Sequence, residues 1–278
     1  MKRSISLFLV SLFAMTVLAG CGGAKQESAP AAAEPAKTEQ KAAETPAPSK
    51  TPTLDKIKSE GKLVIGTSPD YPPYESLDKN NNVIGFDIDL MQEVANKLGV
   101  KLEIVQINFD GLIPGLLAKK FDIMAAGVSV TEERKKTVDF TIPYMAGTQA
   151  VVINTESNFP VSKLEDLVDK QVAVQLGTIQ ADAVKEIPGI KVKEYNLFTE
   201  AAQAVASKQA DAMYVAKPVA DAFVKNDKNL KLVAEIGGDD TALALRKDTP
   251  DLTEYVSGVI TELKASGKYD EMIKKWFN

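Results

Sequence analysis

The run Ala125-Ala-Gly-Val-Ser-Val-Thr-Glu-Glu-Arg134, continuing to Asp139-Phe-Thr, holds the residue types best suited to gripping an anion. Its small side chains leave backbone N–H groups and the Ser129 hydroxyl accessible, and Arg134 follows at once. A guanidinium offers two parallel charge-assisted hydrogen bonds, the geometry that a single carboxylate accepts. The bland alternative is a solvated helix charge paired with Glu132 or Glu133, worth roughly 0.3–0.5 kcal/mol. A second pattern, Gln175-Leu-Gly177-Thr178-Ile179-Gln180, puts a glycine before a helix start. Unpaired amides and a positive dipole end suit an anion there, although an ordinary N-cap reads the same way. A third, Ser68-Pro-Asp70-Tyr71-Pro-Pro-Tyr74-Glu75, is a proline-stiffened loop carrying two aromatics and two acids.

The elements around these patterns alternate. From Leu54, a short helix and the apolar strand Lys62–Thr67 lead to Phe86–Leu98, where Phe86, Leu90, Val94, Ala95 and Leu98 form one helical face. Strand Lys101–Ile107, helix Gly111–Lys119 and strand Phe121–Ala125 follow. A second series runs from strand Ala150–Asn154 through helix Lys163–Val168, strand Gln171–Gln175, helix Ile179–Ile187, strand Lys191–Tyr195, helix Thr199–Lys208, strand Asp211–Val215, helix Lys217–Lys225 and strand Leu230–Ala234. Strand Thr241–Arg246 and helices Asp251–Ala265 and Tyr269–Phe277 close the chain. Such alternation predicts mostly parallel sheets with helices on their faces. Two α/β series in succession predict two lobes with a ligand cleft where strand ends expose loop backbone. Periodicity leaves open whether the chain crosses between them once or twice.

Composition removes several chemistries. The 278 residues contain no histidine and one cysteine, Cys21, which excludes His-based triads, Cys-rich metal sites and an internal disulfide. No metal and no cofactor is expected. Acidic residues outnumber basic ones, 38 to 33, and the basic residues do not cluster, so a nucleic-acid partner is not expected. No Gly-Lys-Ser/Thr phosphate loop occurs, so nucleotide hydrolysis is not expected of the chain itself.

Residues 1–20 read as a signal peptide, with Lys2-Arg3 before an apolar segment from Ile5 to Ala19. Leu18-Ala-Gly-Cys21 is similar to a bacterial lipobox, in which the cysteine takes the lipid and the leader is cut before it. Residues 21–53 are then the lipidated cysteine and a disordered Ala/Pro/Glu/Lys tether, spanning roughly 30 Å as a coil and about 100 Å extended. A lipid-anchored protein facing the periplasm or the cell exterior is the expectation.

The Arg134 stretch, with Gly85-Phe-Asp-Ile-Asp-Leu90 and the Tyr71 loop, resembles the solute-binding proteins of polar amino-acid ABC importers over about residues 54–278. The resemblance implies an α/β, two-lobed, type II periplasmic-binding-protein fold. It implies that residues 241–278 return to the first lobe, 54–147, leaving 148–240 as the second, with hinges near Met145–Gln149 and Gly238–Ala242. It also implies roles. Tyr71 and Phe109 flank the ligand side chain. Within Ala126–Arg134, the Gly127 carbonyl and Ser129 hydroxyl face an α-amino group, while the Val128 and Ser129 amides and Arg134 hold an α-carboxylate. Gln175 can reach the side chain, and the Thr178-Ile179-Gln180 loop closes from the far side. Where the family usually has an aspartate for the α-ammonium, this chain has Ala216. Either Asp70, Asp239 or Asp240 substitutes, or the ligand lacks a free amine, or amino acids bind weakly. The expected protein is a monomeric receptor, not an enzyme, that delivers a small carboxylate-bearing solute, most simply an amino acid, to an ABC permease. Alternatives are a cleft enzyme of the same fold, a cyclohexadienyl or prephenate-type dehydratase, and a tethered ligand sensor.

Overall fold

The computed structural model describes residues 49–278; the expected leader, Cys21 and most of the tether lie outside the described residues. The first series is α1 (Pro52–Glu60), β1 (Lys62–Thr67), β2 (Ser76–Leu77), β3 (Val83–Ile84), α2 (Phe86–Leu98), β4 (Lys101–Gln106), α3 (Leu112–Leu117), β5 (Ile123–Met124), α4 (Glu132–Thr137) and β6 (Val138–Phe140). The second is β7 (Thr148–Asn154), β8 (Gln171–Gln175), α5 (Ile179–Lys185), β9 (Lys191–Tyr195), α6 (Phe198–Ala206), β10 (Ala212–Ala216), α7 (Lys217–Asn226) and β11 (Leu230–Gly237). Then come β12 (Ala244–Arg246), α8 (Pro250–Ala265) and α9 (Lys268–Phe277).

Two five-stranded sheets result, ordered β4-β1-β5-β12-β6 and β11-β7-β10-β8-β9. They are mixed, which corrects the expectation of mostly parallel pairing. In the first, β1 runs parallel to β4 and β5, but β12 is antiparallel to β5 and β6. In the second, β8 runs parallel to β9 and β10, but β7 is antiparallel to β10 and β11. The antiparallel members β7 and β12 are the strands laid down just after the chain passes from one sheet to the other. Those two passages lie side by side: Met145 bridges Thr241, and Gln149 pairs with Ile236. Helix Lys163–Val168 is also corrected, to a single 3-10 turn over Leu164–Leu167. Its apolar pattern is satisfied by burying Leu167 alone.

Apolar residues on both faces of each sheet are buried, so the functional loops stand on rigid supports. Beneath the Tyr71–Glu75 loop, Phe86 stacks on Tyr144 with centroids 5.6 Å apart and meets Phe277 edge-on at 5.3 Å. Tyr74 meets the same Phe277 ring at 5.3 Å, so α9 braces the loop from below. Such aromatic pairs contribute about 0.5–1.5 kcal/mol each beyond burial.

Candidate functional site

The carboxyl ends of β1, β4 and β5 in one sheet and of β8 in the other face a common cavity of about 260 Å³. Its lining includes Tyr71, Phe109, Gly127, Ser129 and Arg134 from the first series, and Gln175, Thr178, Ile179, Gln180 and Phe198 from the second. Of the residues singled out from the sequence, Asp70, Ala126, Val128, Ala216, Asp239 and Asp240 do not border it. Phe198, which no sequence argument picked out, does; its ring lies 4.9 Å from that of Tyr71.

Arg134 is turned inward by its neighbours. Thr131 caps α4, its hydroxyl accepting the Arg134 N–H at 3.1 Å. Glu132 and Glu133 are occupied by Lys135 and Lys136, one turn on. Among the described residues no carboxylate lies within salt-bridge distance of Arg134. Its Nη1 donates to the Ser129 carbonyl at 3.0 Å and its Nη2 to the Gly177 carbonyl at 3.4 Å, across the cavity. The guanidinium carbon stands 5.5 Å over the Phe109 ring. Burial, the first cause, pulls its pKa below the ordinary arginine value.

The loop beside it supplies backbone. The Ala126 and Val128 side chains are buried in the core, so only their main chain can serve a ligand. Among the described residues, the Val128 and Ser129 amides donate to no protein acceptor. The Gly127 N–H is not free: it donates to Asp87 Oδ2 at 2.9 Å. Gly127 is held at φ 55°, and a Cβ there would stand 2.9 Å from the Tyr71 ring, so only glycine lets loop and ring approach. Across the cavity the Thr178 hydroxyl is consumed by its own N-cap, accepting from Ala181 N and donating to the Gln175 carbonyl.

Two glutamines line the far wall. Gln175 Nε2 donates to Asp70 Oδ2 at 3.0 Å and to the Asn196 carbonyl at 2.9 Å. Both partners can only accept, so the amide orientation is determined, and Oε1 is the atom left for a ligand. Gln180 Nε2 donates to Gln149 Oε1 at 2.7 Å, but that partner is an amide able to serve as donor or acceptor, so only Gln175 has its orientation set by its partners.

The family model of the bacterial extracellular solute-binding proteins, family 3, matches residues 63–278. This chain belongs to that family. The family-3 relatives include the arginine-binding extracellular protein ArtP of Bacillus subtilis (strain 168), 34% identical over 78% of this chain and 86% of that protein. Holo ArgBP from T. maritima is 44% identical over 81% of this chain and 99% of that one, with a TM-score of 0.74. The ancestral amino acid-binding protein AncCDT-1, a precursor of cyclohexadienyl dehydratase, is 40% identical over 81% of this chain and all of that one (100%), with a TM-score of 0.77. As a family-3 protein the chain has the two-lobed type II fold and is a solute-binding receptor of the ABC-importer class.

Ala216, where the family resemblance implies an aspartate, ends β10 in its pair with Gln149 and is the residue that precedes α7. Its N–H donates to the Tyr71 hydroxyl at 3.4 Å. It borders a smaller space of about 230 Å³ with Gly127, Ser129, Thr241 and Asp239. Asp240, by contrast, accepts the Gly147 N–H at 3.2 Å.

Behind Gly127 lie two fully buried carboxyls. Glu75 has neither oxygen hydrogen-bonded, and Asp87 Oδ1 is equally unpartnered. Burial raises Glu75 well above the usual carboxylate range, with Asp87 and Asp70 adding to it. Burial also raises Asp87, from 3.8 to about 6, against the lowering effect of the Gly127 N–H. A folded-state value above the unfolded one means that the folded form holds the extra proton between about pH 4 and 6. Stability is therefore expected to rise as pH falls through that window, and above it Asp87 costs about 3 kcal/mol. Asp87→Asn keeps an acceptor for Gly127 and should flatten this dependence in denaturant unfolding between pH 4.5 and pH 7 (about one window's width). An unchanged slope would show that Asp87 is not the group responsible.

Proposed function

We propose that this family-3 receptor captures an α-amino acid with a hydrogen-bond-donating side chain, arginine foremost, by closing 54–147 with 241–278 against 148–240. The observation that carries this is Arg134: half-buried at the cavity edge, unpaired with any described carboxylate, beside the two undonated amides of Val128 and Ser129. The ligand's α-carboxylate lies across these donors. Its side chain runs past the aromatic rings of Tyr71, Phe109 and Phe198 toward Gln175 Oε1 and the Gln180 amide. Aromatic faces and acceptor-only oxygens suit a guanidinium. The similarity to ArtP, an arginine-binding protein, and to arginine-bound ArgBP supports the same choice.

Asp239 supplies the charge for the α-ammonium. It shares a space with Ala216, Gly127 and Ser129, whereas Asp70 and Asp240 are engaged elsewhere. Lipidation at Cys21, the tether, a monomeric state and hand-over of the closed form to a permease complete the reading. The dehydratase reading is not favoured, because the buried carboxyls Glu75 and Asp87 do not border the cavity.

Calorimetric titration with arginine, the other common amino acids and their α-keto analogues tests this. Arginine is expected to bind best, and Asp239→Asn to weaken it. Ala216→Asp should tighten α-amino acids about tenfold by restoring a partner for the ammonium. Preference for a keto acid over its amino acid would reject the ammonium site, and no response to any amino acid would reject the function.

A further inference from the structure

Asp70 is 6% exposed, yet no cation among the described residues lies within salt-bridge distance of it. Its carboxylate instead collects three donors. The Ser68 hydroxyl, from its own loop, donates to Oδ1 at 2.7 Å. The other two come from the second lobe: Gln175 Nε2 at 3.0 Å and the Phe198 N–H at 2.6 Å, both on Oδ2. Phe198 is the first residue of the nine-residue α6, and the residue before it, Leu197, has no side-chain oxygen with which to cap it. Asp70 thus does from the first lobe what a capping residue would do within the helix.

We propose that Asp70 is a closure latch and the residue that orients Gln175, rather than a ligand for the solute. This rests on the binding function proposed above. With the lobes apart, water solvates the Asp70 carboxylate and the start of α6. Once they meet, the Phe198 amide and the Gln175 side chain replace that water, so the interaction favours the closed form without strengthening either lobe. By holding Nε2, Asp70 also leaves Gln175 Oε1 as the atom shown to the solute. The residue therefore couples closure to a preference for donor side chains.

Asp70→Asn and Asp70→Ala separate these claims. The replacement amide can place its one oxygen where Oδ2 stands, still accepting from Phe198 and Gln175, with its NH₂ donating to the Ser68 hydroxyl, so the contacts persist and the charge is lost. Asp70→Ala removes the acceptor as well and leaves only the Asn196 carbonyl to hold Gln175 Nε2. In the full-length Asp70→Asn variant, arginine affinity is expected to fall about ten- to hundredfold, the loss of charge-assisted hydrogen bonds. In Asp70→Ala the preference for arginine over glutamate should narrow, and in Asp70→Asn the Phe198 amide proton of the arginine-saturated protein should move upfield. The melting temperature without solute should not change. Unaltered arginine affinity with an unaltered Phe198 resonance would overturn the latch. Equal losses of melting temperature with and without solute would overturn it in favour of a purely structural role. If the unsubstituted protein binds no amino acid, the proposed function fails instead. Small-angle scattering of the solute-free protein then decides: a larger radius of gyration in Asp70→Ala than in the parent sustains the latch, and equal radii overturn it.

Discussion

Arg134→Ala is expected to abolish solute capture while leaving the fold intact. The guanidinium is the one cation bordering the cavity among the described residues, and its only protein contacts are two carbonyls and the Phe109 ring. Removing one partner of a desolvated ion pair costs roughly 3–5 kcal/mol. At about 1.4 kcal/mol per decade, affinity falls roughly 10²–10⁴-fold. The helix itself keeps the Thr131 cap and the Lys135–Glu132 pair, so the thermal midpoint without solute should hold. Arg134→Lys retains the charge but not the fork and should recover only part of the affinity. Calorimetry that finds Arg134→Ala binding as well as the parent would mean that the carboxylate is held elsewhere.

The largest effect on stability is expected from Gly85→Ala. Gly85 links β3 to α2 at φ 146°, and a Cβ built there lies 2.0 Å from the Tyr74 carbonyl oxygen. That oxygen accepts the Asp87 N–H, and Phe86 N donates to the Pro73 carbonyl next to it. The obstruction is backbone, so no rotamer change relieves it. Adding strain at a left-handed position to overpacking gives a cost of roughly 3–5 kcal/mol. Because the displaced segment carries Tyr71 and Tyr74, solute affinity should fall with it. Gly258→Ala, within α8 and with open space around its Cβ, is the control and should stabilise by about 0.5–1 kcal/mol. Denaturant midpoints that move together for both variants would refute the steric argument.

The cavity was legible where chemistry is local. Glycine, small residues and one arginine at short spacing mark a backbone-rich anion site, and the family resemblance extends the reading to Tyr71, Phe109 and Gln175. Ala126 and Val128 show the limit: a spacing identifies the loop but not which side chains turn into the core. Phe198 escaped because, in sequence, it is indistinguishable from the apolar face of α6 that Ala201, Ala202 and Val205 continue. The role of Asp70 depends on a residue in the other lobe, and no local pattern records such a meeting. The mixed sheets escaped for the same reason. Strand identity is written in alternation, whereas pairing direction is set by where the chain has been carried between one strand and the next.

The position of β12 has a consequence for how the molecule is made. It lies between β5 and β6, pairing Ala244 with both Met124 and Phe140. The first sheet therefore has a gap at its middle until the chain is nearly finished. The second sheet is built from one uninterrupted stretch, β7 to β11, and needs nothing from either end. During synthesis or export, the part encoded in the middle can consolidate first, while the part encoded at the beginning waits for residues near the end. Long-range pairings of this kind are slow to form. Refolding should thus proceed in two phases, the slower one belonging to the sheet that contains Arg246 rather than to the one that contains Gln175.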